Sequence, residues 1–193
     1  MWITLLVGLA LTVKSGSLVW FDRSLAQWME AIRTPWLDVA ARTLTFFGSS
    51  PWTLSMVAAM GLCWLKRRQR MTLFRFIVAG LSGLVLHVLL RLWVAQWRPD
   101  MPAPSSTDLM SRYDLVGFPS GHAFRSAFLY GWWAEALSRK RSGWATAGIA
   151  GCAVLIFLVG LSRVYLHRHW ATDVVGGWLL ALTALAAVRG SRP

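Results

Sequence analysis

Charged side chains are scarce in this chain. Only 15% of its 193 residues are Asp, Glu, Lys or Arg, whereas 56% are apolar and 13 are tryptophans. Average soluble domains carry about 25% charged residues. The shortage of charge therefore excludes an ordinary soluble domain and indicates a polytopic membrane protein. The length suits one domain, and we expect residues 1–193 to form it.

Acidic residues are scarcer than basic ones, at eight Asp and Glu against 20 Lys and Arg, so the formal net charge is +12. Nucleic-acid binding is one use of such an excess. Here the basic residues form short clusters between apolar stretches, which is the pattern of membrane topology and not of a solvated binding face. We therefore expect a lipid bilayer as partner and no nucleic acid.

Spacings typical of disulfide and metal sites are also missing. The two cysteines, Cys63 and Cys152, lie inside apolar runs, and no CxxC or Cys/His ligand spacing accompanies them. The pattern excludes a disulfide framework and a zinc site. We expect small buried thiols, no metal and no other cofactor.

Hydropathy predicts an all-α bundle of about six transmembrane helices. Apolar runs of about 20 residues can cross ~30 Å of hydrocarbon. The predicted spans are residues 1–20, 44–65, 71–97, 122–138, 142–162 and 173–188.

Residues 22–47 differ from these spans. Leu25, Trp28, Met29 and Ile32 recur at helical spacing, and charged residues occupy the other sides of the helix. The pattern predicts an amphipathic helix lying in the membrane interface. An ordinary helix packed on other helices is the alternative.

The basic loops predict the orientation. Ten basic residues, with no acid among them, fall on one side of the predicted bundle: Lys66, Arg67, Arg68, Arg70, Arg75, Arg139, Lys140, Arg141, Arg189 and Arg192. The positive-inside rule places this side, and both termini, in the cytoplasm. Segments 98–121 and 163–172 then face outward.

Cations, imidazoles and a carboxylate gather on the outward side. Arg91 and Arg98 close the third predicted span, residues 119–122 open the fourth, and residues 162–173 join the fifth to the sixth. A charged group at membrane depth costs about 2.5–3.5 kcal/mol on insertion scales, so such groups mark function by default. The outward side is therefore the candidate site.

Three spaced motifs in these segments carry a family resemblance. They are R-x6-R-P at 91–99, P-S-G-H at 119–122 and S-R-x5-H-x3-D at 162–173. Together they resemble the signature of the type 2 phosphatidic acid phosphatase superfamily, which also includes vanadium haloperoxidases and bacterial acid phosphatases. The family's first motif usually starts with Lys, where this chain has Arg91. The resemblance implies a six-helix membrane enzyme that dephosphorylates a lipid without a metal.

The same resemblance implies His169 as nucleophile and His122 as acid/base. Asp173 lies four residues after His169, close enough on a helix to accept its Nδ1–H, whereas His167 has Ala171 at that offset. We therefore expect His169, His122 and Asp173 to be catalytic.

Phosphate binding is expected from cations and a helix start. Phosphoryl transfer spreads charge over three equatorial oxygens, so its catalysis is chiefly positioning and electrostatic stabilisation. Guanidinium groups offer several donors to such oxygens, and a helix N-terminus favours an anion. The predicted phosphate-binding residues are Arg91, Arg98, Ser120, Gly121 and Arg163.

Three other polar or aromatic residues receive weaker assignments. His87 lies one turn before Arg91 and suits a structural partner within the bundle. Arg125, three residues after His122, is expected to contact a second phosphate, or else to snorkel or to pair helices. Trp170, inside the third motif, is expected to shape the pocket.

The leading interpretation is hydrolysis of a lipid phosphate or diphosphate through a phosphohistidine, in the bacterial inner membrane with the site on the periplasmic or extracellular face. Among the substrates that the resemblance implies, undecaprenyl diphosphate is expected first, because the small chain is similar to small bacterial members. Phosphatidylglycerol phosphate or phosphatidic acid is expected second. The alternatives are a lipid phosphotransferase and a non-catalytic transporter or binder of anionic lipid. Transport needs no nucleophile with its own orienting carboxylate, which argues against the last.

Overall fold

The computed structural model describes residues 1–99, 115–140 and 142–189. Within these ranges the regular structure is helical, which confirms the predicted all-α class. The helices are α1 (Trp2–Lys14), α2 (Val19–Ala31), α3 (Pro35–Phe46), α4 (Ser50–Lys66), α5 (Arg70–Val94), α6 (Gly121–Ser138), α7 (Gly143–Tyr165) and α8 (Ala171–Arg189). Most of the predicted outward segment 98–121 lies outside the described residues, as do Arg141 and Arg192.

In the described part of the chain, three helices are long and apolar enough to cross a membrane, namely α5, α7 and the Ala171–Val188 part of α8. A fourth span results if α1 and α2, which meet at 85°, form one broken span. Helix α4 has 17 residues and α6 has 18, near the lower limit for a span, and α6 carries several ionisable groups. The predicted number of about six spans therefore stays a prediction.

The predicted first span, residues 1–20, is wrong as a single helix. Helix α1 ends at Lys14, and α2 starts at Val19 after a turn in which Gly16 has a φ of 75°. Glycine adopts this left-handed conformation without steric cost, so the chain can turn sharply here.

A single amphipathic helix over residues 22–47 is also wrong. The chain breaks at Thr34, whose side chain accepts a hydrogen bond from the Leu37 amide at 3.4 Å, and Pro35 opens α3. Proline disfavours helical geometry at the preceding residue, and Thr34 is extended, with φ −144° and ψ 154°. Two helices, α2 and α3, therefore occupy this segment.

The start of the second predicted span, Leu44, belongs instead to the end of α3. Ser49 caps the next helix by accepting from the Trp52 amide at 3.4 Å, and Pro51 lies in its first turn. Both residue types are typical of a helix N-terminus. The helix that follows, α4, therefore begins at Ser50.

Helix α8 lies at the centre of the bundle, where it contacts α1, α5 and α6. Leu180 and Ala181 in its middle are fully buried. Beside it, the rings of Phe76, Phe128 and Trp132 pack between α5 and α6 with centroids about 5 to 6 Å apart. This aromatic core fixes the helices whose ends carry the candidate site.

The outer face of α5 is apolar and exposed, as Phe74, Leu81 and Val85 illustrate. In a membrane such a face meets lipid tails, which are as apolar as a protein core. The expectation of buried thiols is wrong, because Cys63 is exposed and Cys152 is half-buried. On helices that face lipid, an apolar residue needs no burial within the protein.

A glycine on α8 brings this helix directly against the start of α6. A Cβ placed on Gly177 would lie 2.6 Å from the Ser120 carbonyl oxygen, closer than real Cβ atoms approach backbone. Because glycine has no Cβ, α8 can pack here against the P-S-G-H segment. The close contact positions Asp173, one turn earlier on α8, beside that segment.

Candidate active site

The predicted site residues converge at one end of the bundle. Arg91 lies in the last turn of α5, His122 in the first turn of α6, and Arg163 in the last turn of α7. His169 lies in the connection before α8, and Asp173 in the first turn of α8. Ends of four helices therefore contribute to one site.

His169 and Asp173 form a buried pair, as their spacing predicts. His169 Nδ1 lies 3.2 Å from Asp173 Oδ2, and the two side chains are 3% and 0% exposed. The same oxygen accepts the Trp170 backbone N–H at 3.0 Å. The Asp173 carboxylate therefore both caps its own helix and orients the imidazole. His169 Nε2 is then free to react with a substrate.

The P-S-G-H segment is bonded to this pair through the backbone. The Ser120 amide donates to the Asp173 carbonyl oxygen at 2.8 Å. The Ser120 hydroxyl is fully buried and caps α6 by accepting from the Ala123 amide at 3.4 Å. Gly121 is the first residue of α6, so its N–H belongs to the helix N-terminus, where an anion is favoured.

Two of the predicted phosphate-binding arginines share one acceptor. Arg91 Nη2 and Arg98 Nε both donate to the Val116 carbonyl oxygen, the latter at 3.4 Å. Around them the chain forms a short antiparallel pairing, in which Trp97 bridges to Val116, Gly117 N–H donates to the Gln96 carbonyl and Arg98 N–H to the Leu115 carbonyl. The two guanidinium groups are thereby held together.

The third arginine, Arg163, is bonded to a helix that the motifs do not include. Its Nη1 donates to Thr45 Oγ1 on α3 at 2.9 Å, and the side chain is buried. The buried cations also act on the nucleophile candidate. Burial, and then the charge of Arg163, hold the pKa of His169 well below its usual range, so the imidazole is neutral and retains a lone pair.

His122 lies beside Arg125 in the first turn of α6. Arg125 Nη2 is 3.4 Å from His122 Nδ1, and Arg125 Nε donates to the Gly48 carbonyl oxygen at 3.0 Å. The contact occupies Nδ1 and leaves His122 Nε2 for a substrate. Arg125 thus joins the turn between α3 and α4 to the site, and its contact with a second phosphate stays a prediction.

His87 and Trp170 also support the site from outside it. His87 is buried, and its Nε2 lies 3.1 Å from the Pro119 carbonyl oxygen, as suits the predicted structural partner. Trp170 Nε1 donates to the Trp97 carbonyl oxygen at 2.7 Å. Each ring therefore fixes the backbone of a neighbouring motif.

His167 is placed apart from the other histidines. Its Nε2 lies 2.9 Å from Glu30 Oε2 on α2, a partly exposed pair. It lines a hollow of about 270 Å³ with Trp170 and the α2 residues Arg23, Gln27 and Glu30. The structure therefore does not bring His167 into the buried pair.

Asp22 is a site-supporting residue that the sequence reasoning missed. Its carboxylate, 2% exposed, accepts the Thr172 backbone N–H at 3.0 Å and the Thr172 hydroxyl at 2.6 Å. It thus caps the N-terminus of α8 from α2, one residue before Asp173. In the sequence Asp22 is one of the charged residues on the polar side of the amphipathic segment, so no local pattern indicated its contact with Thr172.

Among the residues that the structure describes, no three His, Cys, Asp or Glu side chains form a group that could hold a metal ion. The donors around the candidate anion position are arginines and backbone amides. Metal independence itself stays a prediction.

A family model confirms the resemblance seen in the motifs. The model described as PAP2 superfamily matches residues 72–192, which include all three motifs. Phosphatidylglycerophosphatase B of Bacillus subtilis is 30% identical over 191 residues, 94% of this chain and 88% of the relative. Decaprenylphosphoryl-5-phosphoribose phosphatase of Mycobacterium tuberculosis is 32% identical over 158 residues, 80% of each chain.

Solved structures show the same fold. The crystal structure of a transmembrane PAP2-type phosphatidylglycerolphosphate phosphatase from Bacillus subtilis matches with a TM-score of 0.81 and 28% identity, over 98% of this chain and 92% of that one. LpxE of Aquifex aeolicus matches with a TM-score of 0.64 over 86% and 93%, and at 22% identity it shows the fold alone. From its motifs, its fold and these relatives, the chain belongs to the PAP2 superfamily and is one of its membrane lipid phosphatases.

Proposed function

We propose that this phosphatase releases the terminal phosphate of a membrane lipid through a phosphohistidine at His169. The observation that carries the proposal is the buried pair of His169 and Asp173, at 3.2 Å. Because Asp173 holds Nδ1, the Nε2 lone pair is presented in one orientation. A neutral imidazole with an orienting carboxylate is the arrangement that nucleophilic catalysis requires.

In the first step Nε2 of His169 attacks phosphorus. A P–N bond forms while the bond from phosphorus to the leaving oxygen breaks, and its electron pair goes to that oxygen. The incoming phosphate brings negative charge to His122 and favours its protonated form. His122 then gives this proton to the leaving oxygen, and the lipid alcohol departs.

In the second step water replaces the histidine. His122, now neutral, takes a proton from water, whose oxygen attacks phosphorus. The P–N bond breaks, its electron pair returns to His169 Nε2, and inorganic phosphate is released. Arg91, Arg98 and Arg163, with the amide at Gly121, bind the equatorial oxygens in both steps.

The whole chain acts as one unit in this proposal. The family model begins at residue 72, but α2 supplies Asp22 to the start of α8 and α3 supplies Thr45 to Arg163. Residues 1–193 are therefore proposed as a single domain. The N-terminal helices hold the groups that the motif segments contribute.

The comparisons change the proposed order of substrates. Undecaprenyl diphosphate is the substrate expected first from the sequence. The Bacillus relative, which covers nearly the whole chain, acts by name on phosphatidylglycerophosphate, so we place that lipid first. The mycobacterial relative acts by name on a decaprenylphosphoryl sugar phosphate, which supports polyprenyl phosphates or diphosphates as the second candidate.

Hydrolysis is proposed over the two alternatives. Membership among lipid phosphatases removes the non-catalytic transporter. A phosphotransferase would use the same two histidines with a lipid alcohol in place of water. Hydrolysis is supported by the named relatives, which are both phosphatases.

The catalytic end is proposed to face away from the cytoplasm, in a bacterial inner membrane. The opposite end of the bundle carries the exposed basic residues Lys66, Arg67, Arg68 and Arg70 around the α4–α5 connection. The positive-inside rule assigns that end to the cytoplasm. Both termini are proposed to be cytoplasmic as well.

The test is phosphate release by purified protein in detergent, with a panel of phosphatidylglycerophosphate, phosphatidic acid and undecaprenyl diphosphate. We expect turnover in excess EDTA, and acid-labile phosphate on wild type but not on His169→Ala after rapid quenching. Activity that vanished with EDTA and returned with Mg²⁺ would contradict the proposed site. Transfer of labelled phosphate to added lipid alcohol, in place of release, would favour the phosphotransferase.

A further inference from the structure

A second cavity lies at the end of the bundle opposite to His169. It has a volume of about 420 Å³ and is enclosed by the end of α4, the start of α5 and the end of α6. Its lining includes Trp64, Arg75, Trp132, Trp133, Glu135 and Arg139. A volume of this size suits a small ligand or a headgroup.

The cavity is separate from the catalytic site. On α6, Glu135 lies thirteen positions after His122. A helix rises 1.5 Å per residue, so the two side chains start ~20 Å apart along the axis. A ligand in this cavity would therefore not contact the reacting groups.

The lining has an apolar wall and a charged wall. Met60 and Cys63 line it from α4, and Trp133 Nε1 lies 3.1 Å from Met60 Sδ. Glu135 and Arg139, in the last turn of α6 and just after it, supply charge, and their charged atoms are 3.7 Å apart. This arrangement matches an amphiphile whose chain lies along the apolar wall and whose headgroup reaches the helix ends.

The charge of the cavity favours an anionic headgroup. Arg75 and Arg139 line it with one carboxylate, Glu135, so the balance is positive. The chain around the mouth adds Lys66, Arg67, Arg68, Arg70 and Lys140, with no acid among them. Basic pockets between membrane helices on the cytoplasmic side are sites for anionic lipid headgroups, and tryptophans are enriched at that depth.

We propose that this cavity binds the phosphodiester headgroup of an anionic membrane phospholipid, at a site distinct from the one where substrate reacts. Arg75 and Arg139 contact the phosphodiester, and the indoles of Trp64 and Trp132 pack against the glycerol and the first methylenes. The bound lipid joins α4 to α5 and α6, and so stabilises the folded bundle. The occupant is a lipid and not a free anion, because the apolar wall needs an acyl chain.

The experiment measures thermal unfolding of the purified full chain in neutral detergent. The probe is phosphatidylserine, a phosphodiester lipid with a net negative headgroup, and the reference is zwitterionic phosphatidylcholine. We expect phosphatidylserine at ~100-fold its Kd to raise Tm by about 5–11 °C, and phosphatidylcholine to raise it much less. Equal shifts with the two lipids would overturn the proposal.

Matched variants locate the effect. Arg75→Gln with Arg139→Gln should abolish the shift, whereas Arg68→Gln with Arg70→Gln, an equal charge change at the same end but outside the cavity, should keep it. Loss of the phosphatidylserine shift in both double variants would show general attraction to the basic end of the bundle. Retention of the shift in both would place the lipid elsewhere, for example in the catalytic site. Either result overturns the proposal.

A variant that fills the cavity tests the proposal even if the Arg75→Gln, Arg139→Gln double variant fails to fold. Ala136 is exposed within the cavity lining, so Ala136→Trp occupies the space with every charge in place. We expect it to fold, to release phosphate from a soluble substrate, and to lose the phosphatidylserine shift. A retained shift contradicts the proposal. Glycerophosphoserine, the same phosphodiester headgroup without acyl chains, should give no shift in wild type at the same concentration, and an equal shift would show a free-anion site instead.

Discussion

The two ends of the helix bundle carry positive charge in different settings. At the catalytic end Arg91 and Arg163 are buried and donate to the Val116 carbonyl and to Thr45 Oγ1. At the opposite end Arg67 and Arg68 are exposed. A buried cation is costly unless its donors are satisfied, whereas an exposed one costs little and is screened by salt. The buried arginines are held in place and can therefore stabilise a transition state without reorganisation. The exposed basic residues instead influence membrane orientation and attract anionic lipid.

The largest effect expected from this contrast comes from the buried nucleophile. His169→Ala removes the atom that attacks phosphorus, so phosphate release should fall to background, about 10⁴-fold or more. His167→Ala is the matched control, because His167 pairs with Glu30 and not with Asp173. It should stay within a few-fold of wild type in the same assay. A dead His167→Ala beside an active His169→Ala that still traps phosphate would reverse the assignment.

Removal of the acid should give a loss that depends on the leaving group. His122→Ala leaves attack possible but removes protonation of the departing oxygen, which is worth about 10²–10⁴-fold for a lipid alkoxide. With p-nitrophenyl phosphate, whose leaving group is a weak base, the loss should be much smaller. Steady-state rates with the two substrates measure the difference. Equal losses would assign His122 to binding and not to proton transfer.

A smaller loss is expected at the cap supplied by α2. Asp22→Asn weakens the bonds to Thr172, so the orientation of Asp173 and His169 becomes less defined. We expect kcat to fall about 10-fold with KM nearly unchanged, as for other residues that orient catalytic groups. Glu30→Gln, on the same helix but exposed, should change neither parameter. An effect of Asp22→Asn on Tm alone would assign it a purely structural role.

The buried imidazole also predicts a pH effect on stability. The pKa of His169 is lowered in the folded state, so below about pH 6.5 the unfolded chain takes up a proton that the folded chain does not. This contribution is present above pH 6.5 and is lost as the pH falls. Between pH 7.5 and 5.5, wild type should lose about 1 kcal/mol more than His169→Gln, or about 2–4 °C in Tm. Parallel curves for the two proteins would show that His169 is not buried in the neutral form.

The smallest effect on chemistry is expected at the exposed basic end. Arg67→Gln with Arg68→Gln should leave kcat on a soluble phosphate ester within about twofold of wild type, since exposed charges ~20 Å or more away are screened. The rate in purified protein measures this directly. A large fall in kcat would show that the two ends are coupled through the bundle.

The sequence predicted those site residues whose positions follow from one short stretch of chain. Asp173 follows His169 by four residues, so one turn of helix brings them together wherever the helix packs. Ser120 and Gly121 stand just before the apolar run of α6, so the sequence places them at a helix N-terminus, where an anion is favoured. The arginines followed from the motifs and from the cost of charge in a membrane.

The parts that were missed depend on contacts between distant segments. Asp22 reaches Thr172 across 150 positions, and Arg163 reaches Thr45 across 118, so no local spacing records either pair. The helix breaks had local signals, namely Gly16, Pro35 and Ser49. The apolar or amphipathic pattern continues on both sides of these residues, so the sequence analysis predicted unbroken helices. Such a pattern indicates the face of a helix but not the residue at which the chain turns.

The paired backbone between residues 96–98 and 115–117 has a consequence for engineering. The Leu115 carbonyl accepts the Arg98 N–H, and the Gly117 N–H donates to the Gln96 carbonyl. These two hydrogen bonds hold together the two ends of the segment between Arg98 and Leu115. The entropic cost of a longer insert between two such ends grows slowly, by about 0.6 kcal/mol for each doubling of length. Changes of length between Arg98 and Leu115 should therefore leave Arg91 and Arg98 with their common acceptor, the Val116 carbonyl oxygen.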